Sequence, residues 1–193
     1  MTKRILSLIA VFALVGCEPR VPVQPAPAPV QSPAVAAEPI VTVPQETLPT
    51  ITGRVVKIVD GDTADIFQAD KTIKRIRLAS FDAPERGQPF GNNAREYLAE
   101  LIAGETITVK VQDTDRYDRS VCEVFDDDGQ RVAIKLVAAG LAWHFVEFAP
   151  NDTELAKAEI EAREAKRGLW SDPRFVPPWD WRHLTKEERD QLR

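Results

Sequence analysis

No apolar run in these 193 residues is long enough to cross a bilayer as a helix. The longest, Ile5 to Val15, falls short of the roughly 20 residues a hydrocarbon core requires. With Lys3 and Arg4 before it and small residues after, it reads as the removable apolar core of a secretory signal. Basic charge is also in short supply: 25 Lys and Arg against 30 Asp and Glu leave a formal charge of −5, and loss of Lys3 and Arg4 with the signal makes the remainder more acidic. That counts against a broad nucleic-acid-binding surface, though not against a few arginines focused at one site where a divalent cation neutralises carboxylates. From Glu18 to Thr50 aromatics are absent and Pro, Ala, Val and Gln dominate without an apolar period. Such a segment cannot bury a core and reads as a polyproline-rich linker with a reach on the order of 100 Å. Histidine is limited to His144 and His183. The first, between Trp143 and Phe145, reads as a structural or base-proximal residue rather than a metal ligand, and the second lies in a polar tail.

Directly after the apolar run, Leu14-Val15-Gly16-Cys17 resembles the lipobox of bacterial lipoproteins. The resemblance implies lipid on Cys17, a new N-terminus there, and attachment to a membrane of the cell envelope. Several acyl chains hold firmly where a single one binds only marginally. Glu18 stands where an aspartate resembles an inner-membrane retention signal, which favours the outer membrane, with the domain in the periplasm or at the cell surface. With Cys17 lipidated, Cys122 is the only thiol left and no intrachain disulfide can form. Its neighbours Val121 and Val124 place it in a strand as a buried, inert cysteine. The expected organisation is a signal at 1–16, lipidated Cys17 and linker at 17–50, one monomeric folded domain at 51–172, and a tail at 173–193. In that tail Pro177-Pro178-Trp179-Asp180-Trp181 is expected to pack back on the domain, since large aromatics seldom stay exposed.

Within the domain, Ile51 to Val59, Thr63 to Phe67 and Thr72 to Ala79 alternate in polarity and predict three antiparallel strands, with hairpin turns at Asp60-Gly61 and Asp70-Lys71. Asn92 or Asn93 is the expected cap of a helix carrying Tyr97, Leu98, Leu101 and Ile102, closed by Gly104. Glu105 to Val111 and Val121 to Phe125 predict two more strands. A short helix from Val132 to Ala139 stops at Gly140, and Asp152 or Thr153 starts a third with Leu155, Ala158, Ala162, Ala165 and Leu169 on one face. Five strands with helices inserted late suit an α+β domain on a five-stranded Greek-key barrel of the OB-fold type, with three helices.

Three segments carry chemistry. Asp60, Asp62 and Asp65 crowd the first turn, and hard cations such as calcium take carboxylate and carbonyl oxygens. Arg77 to Glu85 runs from a basic strand into an acidic turn that Pro84 stiffens, presenting Asp82 and Glu85 at a strand end. Two carboxylates and a guanidinium in that span suit phosphodiester hydrolysis: one carboxylate for metal, one for water, and an arginine fork for phosphate. Asp115-Arg116-Tyr117-Asp118-Arg119 forms a charge-rich loop, which in isolation is usually a solvated face.

Together, Val59-Asp60-Gly61-Asp62-Thr63, Arg77 through Glu85, and Asp115 through Arg119 resemble in order and spacing the staphylococcal-nuclease-like (thermonuclease) family. Gly140-Leu141-Ala142-Trp143 and Arg167-Gly168-Leu169-Trp170 are similar to its later landmarks. The resemblance implies calcium-dependent cleavage of DNA and RNA to products bearing 3′-phosphates. It implies that Asp62, Asp82 and the carbonyl of Ala83 hold calcium, that Asp60 supports the metal site, and that Glu85 activates water. Arg77 and Arg119 match the phosphate-binding arginines, and Arg116 and Tyr117 sit where the family contacts a terminal phosphate.

Two departures stand out. Asp118 stands where the motif it resembles commonly has glycine, which places negative charge by the phosphate site, although aspartate tolerates left-handed backbone. Val146 and Phe148 stand where founding members carry nucleotide-contacting tyrosines. The competing expectation is a non-catalytic, envelope-tethered OB-fold module that grips nucleic acid or another anionic polymer. Glu85 separates the two, because a pure binder has no use for a water-activating carboxylate.

Overall fold

The computed structural model describes residues 48–192. The expected signal, Cys17 and nearly all of the expected linker lie outside the described residues. Three strands open the domain: β1 (Thr50–Asp60), β2 (Thr63–Gln68) and β3 (Ile73–Leu78). They pair antiparallel through two tight hairpins. A two-residue strand β4 (Phe81–Asp82) and helix α1 (Gly91–Ile102) follow, then strands β5 (Thr106–Thr114) and β6 (Ser120–Glu123). The five long strands close a barrel in the order β1-β2-β3-β6-β5. Only the β3–β6 pair is parallel, as a strand returning across the barrel by way of α1 and β5 must be. With its helices this is the expected OB-fold α+β architecture.

Alternation explains the closure. Val55, Ile66, Ile76, Leu78, Val109 and Cys122 all point into one core. Burial pushes the Cys122 thiol up to about 11, so it stays protonated and inert. Helix α1 lays Ala94, Leu98 and Ile102 on the same core, where each fully buried Leu or Ile contributes about 1.5–3 kcal/mol. Helix α2 (Val132–Ala138) adds Leu136 and Val137, and a short β7 (Trp143–His144) pairs with β4. Helix α3 (Thr153–Glu164) is capped by Asp152, whose carboxylate accepts from Leu155 N–H at 3.1 Å.

The local expectations need three corrections. Helix α1 is entered through Phe90 in left-handed backbone (φ 65°), so Asn92 and Asn93 lie inside the first turn rather than at the cap. Helix α3 ends at Glu164; Lys166 turns left-handed and Gly168–Ser171 forms a 3₁₀ turn. The cause is a backbone crossing: Gly140 and Gly168 lie so close that a Cβ on either would come within 2.2 Å of a carbonyl oxygen, of Arg167 or of Gly140. Gly61 is the third. Neither Gly61 nor Asp62 has positive φ, so no left-handed turn demands this glycine. A Cβ there would lie 2.6 Å from the Cβ of Ala83 and 2.7 Å from that of Ala94, and its absence lets β4 and α1 close on the first hairpin.

The tail does pack back. Trp179 stacks on Phe145 at 5.6 Å between centroids with the rings 8° apart, and Trp181 is buried. Two short helices, α4 (Pro178–Trp181) and α5 (Lys186–Gln191), complete the described residues. No helix among them is long and apolar enough to cross a membrane.

Candidate active site

The β1–β2 turn and the end of β3 deliver the acidic residues to one mouth of the barrel. Asp62 is buried, accepting from Thr63 Oγ1 at 2.8 Å and from Ala83 N–H at 3.2 Å. Arg77, on β3, reaches Asp62 at 3.1 Å and Asp82 at 2.9 Å through the same terminal nitrogen. Its guanidinium also donates to the carbonyls of Leu78 (2.6 Å) and Phe81 (3.0 Å). Arg77 therefore fastens the turn between β3 and β4, where Ser80 sits in left-handed backbone at φ 75°. Asp82 is fully buried and Glu85 is partly exposed at the rim.

Crowding shapes the titration of the acids. Burial, then the neighbouring Asp62 charge, pushes the Asp60 carboxyl up to about 7. Asp82 is pushed up to about 6 by burial and by Asp62, against the pull of Arg77 and Arg182. For Asp62, burial raises the pKa but Arg77 and the hydrogen bonds from its neighbours outweigh it, and the carboxyl is held below the usual range. Negative charge is thus compressed into a small volume, which favours a hard cation. Among the described residues no three His, Cys, Asp or Glu side chains form a ready-made metal cage. Asp62 and Asp82, drawn together by one arginine nitrogen, supply hard oxygen donors of the kind calcium takes alongside water.

The third segment joins through Arg119. Asp115, to which the sequence reading gave no role, accepts from the N–H groups of Tyr117 (2.9 Å) and Arg119 (3.0 Å), and its second oxygen takes Arg119 Nε at 2.7 Å. An Asp followed two residues later by a turn N–H is an Asx turn, a signal the loop carried in its sequence. Asp118 adopts φ 59°, as a glycine there would. Held this way, Arg119 extends toward Thr63 Oγ1 at 3.4 Å, and Thr63 in turn binds Asp62. Tyr117 is largely exposed, with the Arg116 and Arg119 guanidiniums over its ring at 4.9 and 5.4 Å. Val146 and Phe148 are both exposed. His144 is buried, with Nε2 2.8 Å from the carbonyl of Ala149, a structural placement.

The structure therefore gathers Asp60, Asp62, Arg77, Asp82, Ala83 and Glu85 at one mouth, with Arg119 tied in through Thr63 and with Arg116 and Tyr117 on the outer loop. One residue of this constellation was missed altogether. Arg182, from the tail, donates Nη1 and Nη2 to the two oxygens of Asp82 at 3.0 and 2.9 Å and Nε to Glu85 at 2.7 Å.

Comparison with known proteins places the chain in a family. Residues 75–172 match the model of the staphylococcal nuclease homologue family. The chain is 44% identical over 133 residues to an "uncharacterized endonuclease" of Escherichia coli O157:H7, covering 69% of this chain and 86% of that one. It is 38% identical over 162 residues to a "micrococcal nuclease" of Shigella flexneri, covering 79% and 92%. A further "uncharacterized endonuclease", from Haemophilus influenzae, is 34% identical over 136 residues, covering 70% and 75%. On the family match over half of the chain and these relatives, the chain belongs to the staphylococcal nuclease homologue family.

Proposed function

We propose that this protein is a calcium-dependent nuclease that hydrolyses phosphodiester bonds of DNA or RNA to products with 3′-phosphates. The observation that carries the reading is the acidic mouth itself: Asp62 and Asp82 bridged by one arginine, with Glu85 at the rim and Arg119 tied in across the turn. Asp62, Asp82 and the Ala83 carbonyl hold calcium, and Asp60 supplies further negative charge beside them. When bound, calcium neutralises the carboxylates and polarises the phosphoryl oxygens. Arg77 stiffens the acidic turn and puts positive charge beside the phosphate, and Arg119 forks onto phosphate oxygens from the opposite loop. Glu85 orients a water and takes its proton as it attacks in line. Charge growing on the phosphoryl oxygens is met by the fixed guanidiniums, which need no reorganisation at the moment of reaction. Arg116 and Tyr117 contact a terminal phosphate. The domain acts from the cell envelope, tethered through lipid on Cys17 and the linker to the outer membrane.

The test is direct. The full chain is incubated with labelled DNA and with labelled RNA, in calcium or in chelator, and the product ends are identified. Calcium-dependent 3′-phosphate ends are expected; tight binding without turnover would instead establish the binding module. For the tether, Cys17→Ser is expected to leave the membrane fraction, and retention there with unchanged processing would refute lipidation.

A further inference from the structure

Asp82 is wholly buried, yet two of its three side-chain donors come from a residue 100 positions away in the chain. Arg182 lies at the C-terminal end of α4, and its neighbourhood is built to hold it there. Trp181 is buried beside it, Trp179 stacks on Phe145, and Arg189 donates to the carbonyls of Trp181 and Arg182, each at 3.1 Å. On the approach to α4, Gln88 Nε2 donates to the carbonyl of Val176 at 2.6 Å. The family match ends at residue 172, before this segment begins. The Arg182 side chain itself remains 42% exposed, so it has a path into solvent that the buried Arg77 lacks.

Its contacts have a chemical consequence. Oδ1 of Asp82 already receives Arg77 and Arg182, and Oδ2 receives Arg182. The same guanidinium covers Glu85 Oε1. A divalent cation approaching Asp82 meets occupied lone pairs and a fixed positive charge a few ångströms away, and the two cations repel strongly in a partly dehydrated site. The ion and Arg182 therefore compete for this carboxylate.

We propose that Arg182 is a tethered counter-cation of the acidic mouth, exchanging with the divalent ion for Asp82 and Glu85. In the Arg182-closed form the guanidinium neutralises the acids and masks the general base. Entry of the ion sends the side chain outward, uncovers Glu85, and leaves a mobile guanidinium at the rim beside Arg77, so one event switches metal site and base together. The inference rests on the calcium reading above.

Calcium binding measured by titration calorimetry on the full chain and on Arg182→Ala and Arg182→Gln tests it without reference to turnover. Loss of the competing cation is expected to tighten calcium binding by at least about tenfold, by the scale of close charge pairs that lose one partner. In chelator both variants are expected to melt below the parent, and at saturating calcium that gap closes. Calcium binding only in the variants supports the proposal as well. If the parent binds calcium and neither variant binds it more tightly, the exchange is wrong and the calcium reading stands. If none of the three binds calcium, both fall. Arg182→Gln removes the charge but keeps part of the aliphatic stem and an amide donor, so it serves if Arg182→Ala does not fold.

Discussion

Gly61→Ala places one methyl group 2.6 Å from the Cβ of Ala83 and 2.7 Å from that of Ala94, neither of which can rotate away. Unstrained carbon contacts lie near 3.5–4.0 Å, so β1–β2, β4 and α1 must separate by roughly 1 Å. Overpacking of that kind costs about 1–3 kcal/mol. For a domain of this size the loss in Tm is about 3–10 °C. The backbone adds nothing to the penalty, because Gly61 does not use positive φ. That makes the explanation separable from the hairpin preference read in the sequence. If the clash is the cause, Ala83→Gly in the same chain removes the shorter contact and recovers part of the loss, a favourable coupling of about 0.5–1 kcal/mol or more. The four proteins of this cycle are compared by urea unfolding in chelator. Strict additivity, with Gly61→Ala equally damaging in both backgrounds, would refute the steric account. The cycle also reads on the site, since the displaced Ala83 carries the N–H that binds Asp62.

Asp60→Asn is expected to stabilise the protein in chelator in a pH-dependent way. The folded Asp60 carboxyl titrates near 7 against 3.8 for a free carboxyl, so the folded state binds its proton more tightly and stability falls as pH rises through that window. The gain from the variant should grow from near zero at pH 4 to on the order of 2–4 kcal/mol at pH 7.5, and a gain independent of pH would exclude the cause. Arg119→Lys keeps the charge but loses the planar fork, and turnover is expected to fall roughly 10³-fold while binding of a non-cleavable analogue changes far less. Equal losses in both measurements would assign Arg119 to gripping alone. Asp118→Gly should lower KM at low salt with a gain that shrinks as salt rises, because only an exposed charge by the substrate is removed. An unchanged KM would detach this loop from the phosphate.

The barrel was legible because strand alternation and acidic turns are local signals, and the three motif segments lie at the strand ends they predict. Where the reading failed, the deciding contact was distant. Ala165 and Leu169 continue the helical spacing of α3, but the Gly140–Gly168 crossing stops the helix first. Phe90 breaks the capping rule by taking a left-handed conformation that no pattern announces. Asp115 could have been found as an Asx turn but was absorbed into a run of charge. Arg182 offered no signal at all, since it stands in a polar, aromatic tail and its partners lie 97 and 100 residues back.

That separation also sets an order of events during folding. Arg77 and Asp82 stand 5 residues apart and can pair as soon as the turn after β3 forms, whereas Arg182 must close a separation of 100 residues to reach the same carboxylate. Until α4 docks, Asp62 and Asp82 have Arg77, a near neighbour in the chain, to balance them. The mouth is therefore more negative before the tail docks than after it. Charge compensation arrives as one of the last steps of folding.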